Sequence, residues 1–385
     1  MYRFSSFCAS SCFLFISLFA ASFCAVSAQP VPAPVLVAKS WILIDHATGQ
    51  ILAENDADSR GEPASLTKMM TAYLTFKALR AGTITETQYV QVSTKAWRQE
   101  GSRMFIEPRT PVSVADLIRG VIVQSGNDAC IAIAELLGGS EEGFAKMMNQ
   151  EAERLGMSNT HFINSNGLSH PGHYSTARDL AALAGAIIRD FPDYYSLYSI
   201  KSFTYNRITQ NNRNRLLFID PTIDGMKTGN TKDAGFCLVS SARRGPRRLV
   251  SVVLGAASDN VRVQESLKLL NYGFQSHDMM RVYSADQTLS KFRVWKGAEK
   301  QVGAGLANDL IMTLPKGKAN KIEPVLESQQ PVFAPLTKGQ EIGVLKITID
   351  GEFYGSFPVV ALSEVPQGNI FGRLWDSFML WIKSL

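Results

Sequence analysis

Strand patterns stand at both ends of residues 39–275, and the segments between them are helical. Alternating apolar residues predict a hairpin of strands at 41–44 and 51–53, and a second strand pair at 235–242 and 247–255. Strands at both ends with a helix cluster in the middle indicate an α/β (α+β) layout. The two terminal parts of the region can then share one sheet.

Helical periodicity predicts the elements in the middle of this region. Apolar residues recur at three- and four-residue steps in six segments: 65–80, 113–123, 128–137, 141–155, 176–190 and 265–274. Ser113 and Asp116 form a start that resembles a capping box, and Gly82 lies just beyond the first helix as a stop signal.

Residues 276–368 have a different pattern. Short alternating runs at 291–295, 310–314, 343–349 and 354–360 are separated by Gly, Pro, Asn and Lys. Their spacing is typical of a small β-sandwich. Because no catalytic constellation is visible there, we interpret this segment as a spacer or binding module that follows the first domain.

The composition is that of an ordinary globular protein. Of the 385 residues 45% are hydrophobic and 19% are charged, which excludes a disordered chain. The 39 Lys and Arg residues exceed the 34 Asp and Glu residues by only five, and they are scattered, so no nucleic-acid partner is predicted. At roughly 150 residues per domain, the length predicts two domains.

Residues 1–28 have the features of a secretory signal peptide. Arg3 supplies a positive charge, an apolar stretch follows at 12–23, and 26–28 offer small residues for cleavage. A retained anchor is the alternative, although the run is shorter than the roughly 20 residues that a span needs. Export implies an oxidising compartment without nucleotides, which argues against kinases and NAD enzymes. The Pro-rich residues 29–38 predict a stiff linker.

Residues 369–385 predict an amphipathic helix. Trp375 and Trp381 belong to an apolar set at helical spacing, and Arg373 and Asp376 fall between its members. Tryptophans flanked by cations are typical of a helix that lies in a membrane interface. We expect peripheral attachment to a membrane surface; docking on the protein's own surface is the alternative.

Three short motifs carry the candidate chemistry, and the first is Ser65-Leu-Thr-Lys68. A three-residue step returns Lys68 to the helix face of Ser65, where a lysine of lowered pKa can take the serine proton. Pro63 and Ala64 precede the helix, so Ser65 lies in the first turn, whose free N–H groups can stabilise an oxyanion. Alone the motif is weak, because an N-cap serine with an exposed lysine has the same pattern.

The second motif, Ser125-Gly-Asn127, lies between two predicted helices. Gly126 allows a tight turn, from which Ser125 and Asn127 can point at one site. A plain helix connection is the alternative.

The third motif, Lys227-Thr-Gly229, precedes a strand pair. Lys227 would bring a second cation near Lys68, and Gly229 leaves room for a substrate backbone beside an edge strand. A plain turn is the alternative.

In this order and spacing the three motifs resemble the penicillin-binding protein and serine β-lactamase superfamily. The stretches 62–71, 124–130 and 173–179 resemble a narrower family, the low-molecular-mass penicillin-binding proteins that are D-alanyl-D-alanine carboxypeptidases. The resemblance covers about residues 35–385. It implies a transpeptidase-like domain at 39–275, a β-sandwich at 276–368 and a membrane-anchoring helix at 369–385.

The resemblance also implies a role for each motif residue. Ser65 would be the acylated nucleophile, Lys68 its base, and Ser125 the relay of a proton to the leaving D-alanine. The implied substrate-binding residues are Asn127, Lys227, Thr228, Gly229, Asn230 and Arg262. The backbone N–H groups of Ser65 and Asn230 would form the oxyanion hole, and Thr228 and Arg262 would receive the terminal carboxylate. Asn230 departs from the family, which usually has His, Tyr or Phe there.

The implied activity is removal of the terminal D-alanine from peptidoglycan stem pentapeptides, in cell wall maturation and cell shape. β-Lactams would be inhibitors, no cofactor or metal is implied, and the implied place is the periplasmic face of the bacterial inner membrane. A class A β-lactamase would need a glutamate that residues 154–169 lack. A DD-endopeptidase, a weak β-lactamase and a non-enzymatic wall-binding protein remain as alternatives.

Two residue pairs allow more than one interpretation. His170 and His173 form either a metal pair or part of a polar loop, and the loop is favoured because no third ligand is near in sequence. Cys130 and Cys237 are the cysteines left once 1–28 is removed, and the sequence leaves a disulfide between them open.

Overall fold

The first region follows the predicted order of strands, helix cluster and strands in the computed structural model, which describes residues 32–329 and 331–383. Its strands are β1 (Ser40–Asp45), β2 (Ile51–Asn55), β3 (Tyr89–Val90), β4 (Val112–Ser113), β5 (Ser202–Tyr205), β6 (Ile208–Asn211), β7 (Ile223–Thr231), β8 (Gly235–Arg244) and β9 (Arg247–Ala256). Its helices are α1 (Lys68–Arg80), α2 (Thr94–Trp97), α3 (Val114–Arg119), α4 (Asn127–Gly138), α5 (Glu141–Arg154), α6 (Ala177–Asp190), α7 (Pro192–Tyr195), α8 (Leu216–Ile219) and α9 (Asp259–Ser276).

One antiparallel sheet joins the two ends of this region, which confirms the predicted α/β layout. The strand order is β2-β1-β9-β8-β7, and β1 pairs with β9 along its whole length. β7 lies at one edge of the sheet, so one side of it is open to neighbours other than strands. This edge strand carries the Lys-Thr-Gly motif.

The two faces of the sheet bury alternate residues. In β1, Ile42 belongs to the core that includes the helix cluster, whereas Trp41 and Leu43 pack with α9 residues such as Leu269. This alternation follows from the two-residue period of a strand. The sheet is therefore covered on both faces, which is why its strands are rich in Val, Ile and Leu.

Helix α9 is longer than predicted. It begins at Asp259 rather than 265, because the Ser258 side chain accepts a hydrogen bond from the Val261 N–H and caps the helix. Arg262 consequently lies in the first turn of a helix that packs on the sheet, not in a loop before it.

The second region is a β domain with a core of its own, as predicted. Its strands are β10 (His277–Tyr283), β11 (Thr288–Trp295), β12 (Gln301–Gly305), β13 (Leu310–Pro315), β14 (Ile322–Ser328), β15 (Val332–Phe333), β16 (Glu341–Ile349) and β17 (Glu352–Ala361). Six of them form one sheet in the order β14-β16-β17-β12-β11-β15, and β10 pairs with β13. Val294, Ile347 and Val359 are among the residues buried between these strands.

The predicted linker is packed on the first domain at its end. Leu36 is buried beside the α9 face of the sheet, and the Val37 N–H donates to a carboxylate oxygen of Glu265 at 3.0 Å. The predicted signal peptide, 1–28, lies outside the described residues.

The predicted C-terminal helix is present as α10 (Ile370–Lys383). Its large apolar side chains face outward, with Phe371 81% and Trp375 62% exposed. Among the residues that the structure describes, no helix has the length and hydrophobicity needed to cross a membrane.

Arg247 ties the two domains together at the end of α9. Its Nε donates to Asp45 at 2.9 Å, and its Nη1 donates to the carbonyls of Gly273 and His277 at 3.1 and 2.7 Å. Asp45 is fully buried. One guanidinium therefore links the sheet, the last turn of α9 and the first residue of the β domain.

We predict that Arg247→Ala lowers the free energy of unfolding by about 3–5 kcal/mol, because it leaves a buried carboxylate without its partner. Denaturant unfolding followed by tryptophan fluorescence measures the loss. Arg243→Ala on the same hairpin is the control, since Arg243 is exposed, and it should cost less than about 0.5 kcal/mol. Equal losses in the two variants would contradict the prediction.

Candidate active site

Ser65 lies in a strained turn at the start of α1. A 3-10 turn, Ala64–Thr67, precedes the helix, and Ala64 has a left-handed backbone with φ of 48°. A non-glycine residue in that region costs about 1–3 kcal/mol and persists only where its surroundings hold it. The Ser65 side chain is half-buried, so the turn presents its hydroxyl at the edge of the protein interior.

Lys68 is buried and surrounded by neutral acceptors. Its Nζ donates to Ser65 Oγ at 2.9 Å, to Asn127 Oδ1 at 2.8 Å and to the Asn166 carbonyl at 2.5 Å. Burial lowers the pKa of Lys68 to about 8, and the positive charge of Arg213 contributes in the same direction. The sequence predicts the contact with Ser65; the Asn166 contact comes from a backbone carbonyl and has no sequence signal.

Ser125 closes a π-helical turn, Gly120–Gln124, that follows α3. It has a left-handed backbone, with φ of 59° and ψ of 36°, and its Oγ accepts a hydrogen bond from Lys227 Nζ at 2.9 Å. The predicted reason for Gly126 is therefore wrong, because the residue with positive φ is Ser125. Gly126 is required for close packing: a Cβ there would lie 2.8 Å from an Asp128 oxygen.

Asn127 is the first residue of α4 and is fixed from both ends of its amide. Its Oδ1 accepts from Lys68, while its Nδ2 donates to the Glu100 carbonyl at 2.6 Å. Its own N–H donates to the Ser102 carbonyl at 2.7 Å. The segment around Gly101 thus holds the amide in one orientation, with the oxygen toward Lys68.

Lys227 brings a second buried cation to the site, as the third motif predicts. Its Nζ donates to Ser125 Oγ at 2.9 Å and to the Thr228 carbonyl at 3.1 Å. Burial, followed by the charge of Lys68, lowers the pKa of Lys227 well below its ordinary value. The charge of Lys68 therefore disfavours the charged form of Lys227.

Gly229 lies where the edge strand β7 meets the Ser65 turn. A Cβ on Gly229 would lie 2.9 Å from the Pro63 carbonyl oxygen and 3.2 Å from Ala64 Cβ. The space at this glycine is therefore filled by the protein's own turn rather than left for a substrate backbone, which corrects the sequence interpretation. Thr228, before this glycine, is buried, and the side chain of Asn230, after it, is exposed.

Arg262 is engaged with protein groups. Its Nη1 donates to the Gly229 carbonyl at 3.0 Å, and its other Nη group is paired with Asp259. The side chain is buried. Arg262 thus supports the backbone of β7 directly at the Lys-Thr-Gly motif, and the structure does not place it in the open cleft.

Arg213 is a cation that the sequence analysis missed. It is exposed, yet it is near enough to lower the pKa of both Lys68 and Lys227. The buried residues on either side fix its backbone: Asn212 Nδ2 donates to the Ile200 carbonyl and Asn214 Nδ2 to the Gly225 carbonyl, both at 3.0 Å. In the sequence Arg213 is flanked by two asparagines, but no sequence pattern connects it with the three motifs.

The ambiguous pairs have structural explanations. Cys130 and Cys237 are both buried free thiols, and burial raises the pKa of Cys130 to about 12. His173 is buried in the protein interior, whereas the His170 ring accepts a hydrogen bond from the Gly172 N–H at the surface. Within the described part of the chain, no three His, Cys, Asp or Glu side chains are grouped to hold a metal ion.

Two family models match the chain. One described as D-alanyl-D-alanine carboxypeptidase matches residues 27–258, and one described as penicillin-binding protein 5, C-terminal domain, matches residues 277–367. The D-alanyl-D-alanine carboxypeptidase DacC of Escherichia coli (strain K12) is 44% identical over 380 residues, which cover 97% of this chain and 94% of that protein.

Solved structures give the same result. Penicillin binding protein 5 from Haemophilus influenzae superposes with a TM-score of 0.84 at 41% identity, covering 88% of this chain and 100% of that one. Penicillin-Binding Protein D2 from Listeria monocytogenes, in its ampicillin-bound form, has a TM-score of 0.59 at 30% identity and covers 63% of this chain and 100% of its own. The chain therefore belongs to the D-alanyl-D-alanine carboxypeptidase family of penicillin-binding proteins, and it is a serine-type hydrolase.

Proposed function

We propose that the protein removes the terminal D-alanine from peptidoglycan stem pentapeptides through an acyl-enzyme on Ser65. The observation that carries this proposal is the contact of Ser65 Oγ with the buried Nζ of Lys68 at 2.9 Å. A pKa of about 8 leaves about a tenth of Lys68 unprotonated at pH 7, against about one part in three thousand at the ordinary 10.5. The lysine is thereby available as a base under neutral conditions.

Acylation transfers one proton and exchanges one bond. Neutral Lys68 takes the proton of the Ser65 hydroxyl, and Ser65 Oγ bonds to the carbonyl carbon of the penultimate D-alanine. The backbone N–H groups of Ser65 and Asn230 receive the negative charge that develops on the carbonyl oxygen. The C–N bond to the terminal D-alanine then breaks.

The leaving amine needs a proton, and Ser125 is proposed to deliver it. Its hydroxyl oxygen accepts a hydrogen bond from Lys227 Nζ, which leaves its own proton free for donation. Ser125 passes that proton to the amine and takes up the proton that Lys68 removed from Ser65, so Lys68 is neutral again. Asn127 holds the substrate amide and keeps Lys68 in place. Water then attacks the acyl carbon while Lys68 takes one of its protons; the bond from that carbon to Ser65 Oγ breaks, and Lys68 returns the proton to Oγ, which restores Ser65.

The loop 161–174 supports slow loss of a β-lactam adduct. It offers Lys68 the carbonyl of Asn166, and no carboxylate in the segment 154–169 stands ready to activate water as in a class A β-lactamase. The ampicillin-bound form of the Listeria relative supports the proposal that β-lactams inhibit this chain in the same way. An endopeptidase or β-lactamase role has no observation of its own in its favour.

Release of D-alanine from a D-Ala-D-Ala pentapeptide tests the proposed reaction. Ser65→Ala should abolish release, since no other group can form the acyl bond. Products of cross-link cleavage, without D-alanine release from the pentapeptide, would indicate an endopeptidase instead.

Penicillin should form an adduct on Ser65 at a rate that rises with pH and levels off above about pH 8. The reason is that the reactive form of Lys68 is the neutral amine, which becomes predominant above the lowered pKa of about 8. Mass spectrometry of the labelled peptide locates the adduct, and stopped-time labelling across pH gives the rate. An adduct elsewhere, or a rate independent of pH, would exclude Lys68 as the base.

Arg213 and Thr228 are proposed to receive the terminal carboxylate. Arg213 is exposed and near enough to lower the pKa of both Lys68 and Lys227, whereas Arg262 is occupied with Gly229 and Asp259. Arg262 is therefore proposed to position the strand that binds the peptide, rather than to bind the peptide itself.

Arg213→Ala should reduce kcat/KM on the peptide by about tenfold to a hundredfold, the value of a charge-assisted hydrogen bond of about 1.5–3 kcal/mol. Arg215→Ala, whose side chain is paired with Asp259, is the control and should have little effect. Arg262→Ala should slow peptide turnover and penicillin acylation alike, because both use the β7 backbone. A loss confined to the peptide in Arg262→Ala would return the carboxylate to that residue.

The protein is proposed to act at the periplasmic face of the inner membrane, after export directed by 1–28 and with α10 on the membrane surface. The helix is held to the β domain by its polar side. Asp376 is buried, accepts from the Lys296 N–H at 2.7 Å, and lies 3.4 Å from Lys300 Nζ. At about 100° per residue, Asp376 lies roughly opposite Phe378, so the apolar side is left facing outward.

Deletion of 369–385 should release the protein from membranes without loss of activity on a soluble peptide. Phe378→Glu should weaken binding to phospholipid vesicles about tenfold or more, since a large apolar side chain contributes up to about 1.5–3 kcal/mol. Ser377→Glu is the control, because it adds the same charge at the preceding residue without removing an apolar side chain. A deletion variant that stays with the membrane would indicate an uncleaved N-terminal anchor.

A further inference from the structure

His173 is a buried histidine whose two ring nitrogens are both used. The Ile163 N–H donates to Nδ1 at 3.2 Å, so Nδ1 is the unprotonated nitrogen. Nε2 therefore carries the proton and donates to Thr67 Oγ1 at 2.8 Å. Burial lowers the pKa of His173 to about 4, and the ring is neutral in this tautomer at physiological pH.

The partner of His173 lies inside the catalytic motif. Thr67 stands between Ser65 and Lys68, in the same 3-10 turn as the left-handed Ala64. Thr67 is fully buried, and its hydroxyl contacts His173 of the loop 161–174. The histidine thus contacts the turn of the nucleophile from within the protein interior.

The same loop makes three more contacts with this turn and with α1. The Asn166 carbonyl accepts from Lys68 Nζ, and the Ser165 carbonyl accepts from the Thr71 hydroxyl at 2.6 Å. Gly167 fits directly on the turn: a Cβ there would lie 1.8 Å from the Ala64 carbonyl oxygen and 2.9 Å from Thr67 Oγ1. The loop therefore covers the strained turn and also supplies an acceptor to the base.

We infer that His173 is a positioning residue for acylation. Through Thr67 it fixes the loop against the strained turn, so that Ser65 Oγ and the Asn166 carbonyl keep their places around Lys68 Nζ. The inference rests on the proposed role of Ser65 as nucleophile, which penicillin labelling of the unaltered protein tests separately.

The experiment compares penicillin acylation in four single variants of the full chain. His173→Leu removes both hydrogen bonds of the ring. Thr67→Val removes only the hydrogen bond between His173 Nε2 and Thr67 Oγ1, with little change in side-chain volume. His173→Gln keeps a donor and an acceptor on one side chain. His170→Leu is the matched control, since His170 lies on the same loop but at the surface.

We expect the acylation rate constant to fall about tenfold to a hundredfold in His173→Leu and Thr67→Val, as for other small misplacements of reacting groups. The dissociation constant of the initial penicillin complex should stay within about twofold, because the binding groups of the cleft are untouched. His173→Gln should recover most of the rate, and His170→Leu should equal the unaltered protein.

Several results would overturn the inference. One is an unchanged acylation rate constant in Thr67→Val. This variant tests the same contact even if His173→Leu fails to fold. Another is a loss that appears only in the dissociation constant, or an equal loss in His170→Leu. A third is failure of His173→Gln to recover any rate while its melting temperature equals that of the unaltered protein. If the unaltered protein is not labelled at Ser65, the proposed function itself is wrong.

Discussion

Burial of two lysines at one site is the constraint on which the rest of the structure depends. Among the described residues, Lys68 and Lys227 have only neutral hydrogen-bond partners: hydroxyls, an amide oxygen and backbone carbonyls. A buried ammonium without acceptors would be prohibitively costly, whereas a carboxylate partner would hold the proton in place and raise the pKa. Neutral acceptors satisfy the donors without cancelling the charge, so Lys68 remains close to deprotonation near neutral pH.

Those acceptors come from separate parts of the chain, and the fold brings them together around the two lysines. The Ser65 turn lies beside the edge strand, the turn before α4 supplies Ser125 and Asn127, and the loop 161–174 supplies a carbonyl. Contact among these segments is close enough that side chains are excluded at Gly126, Gly167 and Gly229. Ala64 and Ser125 adopt the strained left-handed backbone conformation. This strain occurs where Ser65 and Ser125 contact the two lysines.

The sequence predicts most of the elements and the motif residues, because periodicity and side-chain chemistry are properties of single segments. The features that it could not predict depend on tertiary contacts between segments that are distant in sequence. The carbonyl of Asn166 has no side-chain signal, and Arg213 is remote from every motif in sequence. Arg262 is assigned to the terminal carboxylate by the family resemblance alone, and its contacts with the Gly229 carbonyl and Asp259 depend on how helix α9 packs on β7. The glycines of the motifs were rightly seen as special, but their reasons were close packing inside the protein rather than turns or substrate.

A buried charge, Asp376, also attaches the C-terminal helix to the β domain, but there the large apolar side chains stay exposed. Seven large apolar side chains of α10 are exposed: Ile370, Phe371, Leu374, Trp375, Phe378, Trp381 and Ile382. Burying them against the protein would contribute about 1.5–3 kcal/mol each. This free energy is far larger than the one that the ion pairs of Asp376 contribute. Its two cationic neighbours, Lys300 and Arg293, are exposed to solvent, which weakens such pairs. The β domain nevertheless binds the polar side, and its Gly297 turn pairs with the segment before the helix, which fixes the orientation. A lipid surface, the partner proposed for this outward apolar face, has the extent and the interface for tryptophan that such a face needs.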